Sequence, residues 1–581
     1  MPYTTPIMRH FHYFFRFSFF AVLFMVHQAA IAHDSPHTRK GAGPKYWIAY
    51  EQCWITNSPI TEDRWQKNID WMAQTFKAYG FDMICNDGWI ETAQTIDAHG
   101  YITKYNDDWE HTFSHWSHYV QQKGMKLGVY YNPMWMTKAA YDQNVTVAGT
   151  SYTAQDIVGS ISFNEPLYWV DTDKPGAKEW IQGYVRHFID IGATYLRIDF
   201  LENYERNYGT TKYRQALAWI KEAAGDQLFL SLVMPNCYHH GEAELAYGDM
   251  IRIDDDCFDG GWDFVSDRRR GEQRPIWPQY GNAFDGFIGF SDIGGRGQLI
   301  LDGDFMRMNT MATDEERKFM ISLMVVGGSA LAIADQYDTI DGHEWVYQNE
   351  ELLALNEQGL VCKPLSNDPK DVAASSTWIG QLPNGDWIVG LFNREDTPQL
   401  RKVDFDRDLG IAAGEVTRIR DLWTHTDLDG GAGGFANTLA PHSCQILRLT
   451  TTQKRYEAEV ASYMGGARKG NTYFNHSGMA YVDVHAIDGA KTLFAVEVAE
   501  GGSHTLGLRY GTHTSEPAAC IVTVNDRKSD RLALPASLQP NTWQQASYEI
   551  MLRPGVNYLS VASTGDGGHT FLLDFIEVGE K

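Results

Sequence analysis

Between Lys45 and Asp335 the chain alternates short apolar runs with amphipathic blocks, and this alternation constrains the fold more than any other feature. The apolar runs are Tyr46–Gln52, Phe81–Trp89, Lys126–Met134, Tyr195–Glu202, Gln227–Pro235, Asp249–Asp255, Leu299–Asp304 and Ser329–Asp335. They are too short for core helices and lack polar alternation, which is the pattern of parallel strands buried on both faces. Helical blocks at Thr61–Tyr79, Asp108–Gly124, Lys178–Gly192, Arg214–Gly225 and Asp314–Val326 separate many of them, and an irregular insertion precedes Lys178. Eight such units predict an α/β chain forming a (β/α)8 TIM barrel over residues 45–360. Past Leu360 the texture changes to short alternating runs broken by Gly, Asn and Asp, predicting an antiparallel β-domain over 361–450. After a polar linker, a second β-rich unit is predicted over 455–581.

Polar and aromatic residues gather at the C-terminal ends of the barrel strands: Tyr50, Glu51, Asp87, Trp89, Tyr130, Asp199, Asn236, Asp255, Asp256, Asp302, Asp304 and Asp335. That rim is where barrel enzymes keep their chemistry. Arg197 and Asp199 share one face of the fourth strand, and two ionisable groups there require partners or a task. Two strands on, Arg252-Ile253-Asp254-Asp255-Asp256-Cys257 supplies further carboxyls. Glycosidic hydrolysis needs one ionised and one protonated carboxyl. Arg197 beside Asp199 predicts an ionised carboxylate, and crowding of Asp254, Asp255 and Asp256 predicts protonation of one of them.

A formal charge of -25 argues against nucleic acid and anionic membrane as partners. Aromatic residues make up 13% of the chain, which suits stacking on sugar faces. Arg9 and Arg16, the apolar block Phe17–Val26 and small residues before Ala32/His33 predict a signal peptide over 1–32, cleaved after Ala32, and a secreted or periplasmic protein. No later segment is apolar for long enough to span a membrane. The seven cysteines lack metal spacing, so no catalytic metal or other cofactor is expected; Cys53 with Cys85 and Cys237 with Cys257 are candidate disulfides. Arg268-Arg269-Arg270 reads as a solvated turn and His239-His240 as a loop pair.

Five ordered segments resemble glycoside hydrolase family 27, the α-galactosidase-like barrels. They are Tyr46 to Cys53, Asn86-Asp87-Gly88-Trp89, Lys126-Leu127-Gly128-Val129-Tyr130, Tyr195-Leu196-Arg197-Ile198-Asp199 and Arg252 to Asp256. The resemblance implies that Asp199 is the nucleophile and Asp256 the general acid/base of a retaining reaction, with Asp255 as its rival. It implies a substrate-binding set of Tyr50, Asn86, Asp87, Trp89, Tyr130, Arg197 and Arg252, to which Asp304 on the rim is added.

Three departures bear on the sugar: Asn86 replaces the first of a carboxylate pair, Leu232-Val233-Met234-Pro235 stands where galactosidases carry Cys-Glu-Trp-Pro, and Tyr50 replaces a Trp. These positions read galactose hydroxyls, so the resemblance leans to an α-glucan such as dextran and to the isomaltodextranase-like members. An α-galactosidase is the alternative, and a catalytically inactive carbohydrate-binding protein the second. Tyr456-Glu457-Ala458-Glu459 with Asp574 resembles carbohydrate-binding module family 35, implying that 455–581 is a β-sandwich with a structural calcium on Glu457, Glu459 and Asp574.

Overall fold

The computed structural model describes residues 42–580, apart from 53–57, 165, 236, 238–239, 242, 276–277, 432, 485–488, 513–515, 526, 530, 537–541 and 566–569. The N-terminal stretch expected to be a signal peptide, Cys53, Asn236 and His239 lie outside the described residues.

Eight parallel strands carry the first domain: β1 (Lys45–Ile48), β2 (Met83–Cys85), β3 (Lys126–Tyr130), β4 (Ala193–Ile198), β5 (Phe229–Leu232), β6 (Met250–Arg252), β7 (Ile300–Asp302) and β8 (Leu331–Ile333). Their order in the sheet is β7-β6-β5-β4-β3-β2-β1-β8. Met306, just beyond β7, bridges in parallel to Ile333 of β8 and closes the ring. Apart from residues near the leading ends of β3, β4 and β5, the strands are buried on both faces, which is why their sequences do not alternate.

The surrounding helices follow from amphipathic spacing and caps. Glu62–Thr75 starts at Thr61, whose hydroxyl accepts the Arg64 N–H at 3.3 Å, and buries Trp65, Ile69 and Met72 at helical spacing. Burying each such side chain contributes about 1.5–3 kcal/mol, so the packed face rather than propensity holds this helix. Asp314–Val326 begins with a reciprocal cap between Thr313 and Glu316.

Two segments differ from expectation. The insertion before Lys178 is an ordered antiparallel sheet of Trp135–Thr137, Val158–Asn164 and Leu167–Val170, held by buried Trp135 and Trp169. The fourth strand stops at Ile198 rather than Glu202, because Phe200 turns into the left-handed region with φ 58° and Leu201–Tyr208 is helical. Local bonds take over from the ladder there: the Phe200 N–H donates to Asp199 Oδ1 at 2.6 Å, and Asn132 Nδ2 donates to the Asp199 carbonyl at 2.7 Å.

Beyond the barrel, a six-stranded antiparallel sheet and a two-stranded one form the β-domain from Lys363 to Thr451. The Arg394 guanidinium of this domain pairs with buried Asp285 of the barrel at 2.6 Å. Two six-stranded sheets face each other in the C-terminal sandwich.

Candidate active site

Asp199 leaves the end of β4 with its carboxylate held on both sides. Oδ1 accepts the Phe200 N–H, and Oδ2 lies 3.0 Å from the Tyr130 hydroxyl delivered by β3. Burial pushes this carboxyl above the usual range, while Arg197, the Phe200 amide, Arg252 and Tyr130 pull it down. The expected pairing with Arg197 takes a different form. Arg197 reaches across the barrel, its Nη1 3.0 Å from Asp302 and its Nη2 3.0 Å from Asp304, so it acts on Asp199 through space.

Asp304 is the hub of this network. Its Oδ1 also receives Arg252 Nη1 at 2.6 Å, and its Oδ2 accepts the Cys257 N–H at 2.9 Å. The backbone there is left-handed, with φ 68°, and its N–H donates to Asp302 Oδ1 at 3.0 Å. Because it is buried and both oxygens are engaged, Asp304 positions the two arginines instead of meeting a sugar as the sequence suggests.

The three consecutive aspartates have three different fates. Asp254 is fully buried, its carboxyl oxygens lack hydrogen-bond partners, and burial with the charges of Asp304 and Asp302 pushes it well up against the pull of Arg252. Crowding therefore acts on Asp254, which cannot reach a ligand. Asp255 is also buried and is clamped by Arg269, by Arg268 Nε at 3.3 Å and by Arg274 Nε at 2.7 Å. The arginine triplet is thus no solvated turn: two of its members hold Asp255, and Arg270 reaches Glu395 at 3.2 Å. Asp256 alone faces outward, its side chain 25% exposed and one oxygen on Arg252.

On β2, Asn86 is fully buried and its amide is spent on the Tyr130 backbone, accepting its N–H at 3.0 Å and donating to its carbonyl at 3.3 Å. It positions Tyr130 where the sequence suggests a sugar contact. Burial, with the charges of Asp199 and Asp304, pushes Asp87 up to about 7 against Arg197 and a bond from the Gly88 N–H. Trp89 is buried among Trp65 and Trp109, in the aromatic packing beneath the rim. Tyr50 is partly exposed and packs on Phe305 at 3.9 Å. Glu51 and Asp335 on the rim are fully buried and act structurally, accepting bonds from Asn309 Nδ2 and from the Met308 and Asn309 amides.

Sequence reasoning missed Glu91, on the turn after β2, whose Oε1 lies 3.2 Å from the Tyr130 hydroxyl. It also missed Asn132 as the anchor of the Asp199 carbonyl, although Asn132-Pro133 right after β3 was a usable signal.

Elsewhere, Cys237 and Cys257 are buried free thiols rather than a disulfide, and Cys85 is likewise free. His240 pairs with Asp292 at 2.8 Å. In the sandwich, Glu457, Glu459 and Asp574 are buried near one another, with Ser477 donating to Glu457 at 2.8 Å and Arg509 engaging Asp574. Among the described residues no three His, Cys, Asp or Glu side chains close on one point at metal-ligand spacing. Glu457 Oε2 and Glu459 Oε2 nevertheless lack hydrogen-bond partners, and burial pushes both carboxyls well up. Among the described residues no helix is long and apolar enough to cross a membrane.

The alpha galactosidase C-terminal beta sandwich domain family matches residues 373–449. The isomalto-dextranase of Arthrobacter globiformis is 42% identical over 94% of this chain and 92% of its own length. The solved structure of the Arthrobacter globiformis T6 isomalto-dextranase, complexed with panose, superposes with a TM-score of 0.89 at 42% identity, covering 94% of this chain and 98% of that one. A β-L-arabinopyranosidase of glycoside hydrolase family 27 from Geobacillus stearothermophilus shares the fold at a TM-score of 0.58 and 20% identity, over 73% of this chain and all of its own. The ordered barrel motifs, the matched β-domain and full-length similarity to a glycoside hydrolase agree: this chain belongs to glycoside hydrolase family 27, alongside the isomalto-dextranases.

Proposed function

We propose that the protein is a retaining α-glucan hydrolase that releases isomaltose from dextran, with Asp199 as nucleophile and Asp256 as general acid/base. One observation carries the assignment of roles: among the carboxylates around Arg197 and Arg252, Asp199 and Asp256 are partly exposed, whereas Asp254, Asp255, Asp302 and Asp304 are buried. Asp199 attacks the anomeric carbon while Asp256 protonates the departing glycosidic oxygen; water, deprotonated by Asp256, then releases the covalent sugar. Arg252 contacts Asp256 and orients it at the rim. In this reading Asp87 and Tyr130, the latter bonded to Asp199, hold sugar hydroxyls, and Tyr50 offers a ring face beside Phe305.

The glucan preference is supported by the full-length isomalto-dextranase similarity and by Asn86, which gives no free carboxylate at a galactose-reading position. Incubation with dextran and with melibiose, followed by product chromatography, tests it: isomaltose from dextran is expected, and galactose from melibiose would overturn it. Trapping with a 5-fluoroglycosyl fluoride and peptide mass spectrometry tests the nucleophile, with the label expected on Asp199.

We further infer export through a cleaved N-terminal signal and carbohydrate binding by the sandwich, the latter supported by exposed Phe474 with half-buried Tyr473 and Trp543 on its surface. Glu457 and Glu459, with their unpartnered oxygens, fit a calcium ion that would draw Asp574 from Arg509; such an ion would replace protons on the buried carboxyls and take no part in hydrolysis.

A further inference from the structure

The Tyr130 hydroxyl stands between two carboxylates. Its oxygen is 3.0 Å from Asp199 Oδ2 and 3.2 Å from Glu91 Oε1. A phenol has one proton, so it satisfies one of these contacts as donor; the other must be supplied by the opposite partner or become a repulsion between two bare oxygens. One of the two carboxyls therefore carries a proton. Asp199 has the Phe200 N–H on Oδ1 and the positive field of Arg197 and Arg252. Glu91 has no arginine among the groups acting on it and leaves Oε2 without a hydrogen-bond partner.

We propose that Glu91 is a positioning residue for the hydrolytic site: held protonated, it donates from Oε1 to Tyr130 and thereby commits the phenol proton to Asp199. The relay runs in one direction, from Glu91 O–H to Tyr130 Oη and from Tyr130 O–H to Asp199 Oδ2. It fixes the plane of the attacking carboxylate through a residue on the turn after β2. The environment agrees on balance, since burial, with Asp87 on the same turn and Asp199 from β4, pushes Glu91 up to about 8 against the pull of its own backbone N–H and of the Tyr130 hydroxyl. When Glu91 ionises, the phenol proton is shared between two anions and the alignment of Asp199 is lost.

The inference rests on Asp199 being the attacking group, so the test separates the two. Isomaltosyl fluoride serves as substrate because fluoride departs without a proton, which removes the titration of Asp256 from the alkaline limb. Wild type turning over and Asp199→Ala failing establishes the site; if either does not hold, the reading of the site fails first. Given that, Glu91→Gln is expected to keep kcat within about threefold near pH 6, since the amide N–H donates as the acid did, and Glu91→Ala to lose about 100-fold through misplacement of the nucleophile. Wild-type kcat is expected to fall above about pH 8, and Glu91→Gln to lack that fall. Folding of each variant is checked by its melting curve, and Glu91→Gln preserves side-chain volume. A Glu91→Gln enzyme as impaired as Glu91→Ala, an alkaline limb that Glu91→Gln leaves in place, or an unimpaired Glu91→Ala enzyme would each overturn the proposal.

Discussion

Asp304 Oδ1 lies 2.6 Å from Arg252 Nη1, and this contact joins the strand bearing Asp199 to the segment bearing Asp256, because Arg197 approaches the same oxygen at 3.0 Å. One buried anion thus holds both the arginine whose field reaches Asp199 and the arginine that contacts Asp256.

Replacing that anion leaves two buried guanidiniums short of a partner. Asp304→Asn is expected to cost about 3–5 kcal/mol of stability, seen as a lower denaturant midpoint, and to reduce kcat by more than it raises KM. Unchanged kcat in a destabilised protein would show that the hub serves folding alone.

Asp255 and Asp256 are separable by substrate. Asp256→Ala is expected to lose about 10²–10⁴-fold on dextran, where the leaving oxygen needs a proton, and far less on a glycosyl fluoride. Asp255→Ala frees Arg268, Arg269 and Arg274 from their shared partner, and its defect should be similar on both substrates and accompanied by a lower Tm.

The Arg394–Asp285 pair ties the β-domain to the barrel, both side chains being almost completely buried. Arg394→Ala strands a charged carboxylate and is expected to cost about 3–5 kcal/mol, whereas Arg394→Met with Asp285→Asn should recover much of that loss. Chemical denaturation of the three variants measures the difference.

The sandwich carboxyls give a pH test. Folded Glu457 and Glu459 are pushed well above the unfolded value of about 4.3, and Asp574 up to about 6. Their neutral forms are favoured by folding, so without a cation the stability they contribute is full below about pH 4 and is lost as pH rises through the raised folded values. Calcium binding replaces those protons. Calorimetry is expected to show calcium raising the sandwich Tm more at pH 8 than at pH 5, and EGTA reversing it.

The eight strands were legible because runs such as Tyr46–Ile48 and Leu331–Ile333 are buried on both faces and leave no polar beat in the sequence. Their ends were not, since Phe200 and Leu201 continue the apolar run and only local bonds around Asp199 force the chain out of the sheet. Strand position and motif single out Asp199 and Asp256, the pair proposed above as catalytic. The partners of Arg197 are more than a hundred positions away in the chain, and barrel closure, not spacing, brings them together. Asp255 likewise disguised the arginine triplet: its claim on Arg269 exists only in three dimensions.

The clamp on Asp255 has an outer end. Arg270, next to two of its arginines, reaches Glu395 and the Arg394 carbonyl, and Arg394 in turn bonds Ser266, just before the arginines, and Asp285 in the first turn of the helix Ala283–Phe290. The segment that carries Asp256 is therefore moored on the far side to the domain that follows. An enzyme trimmed to its barrel would keep every proposed catalytic side chain and lose the mooring of its acid, so the minimal working unit of this chain extends past the barrel.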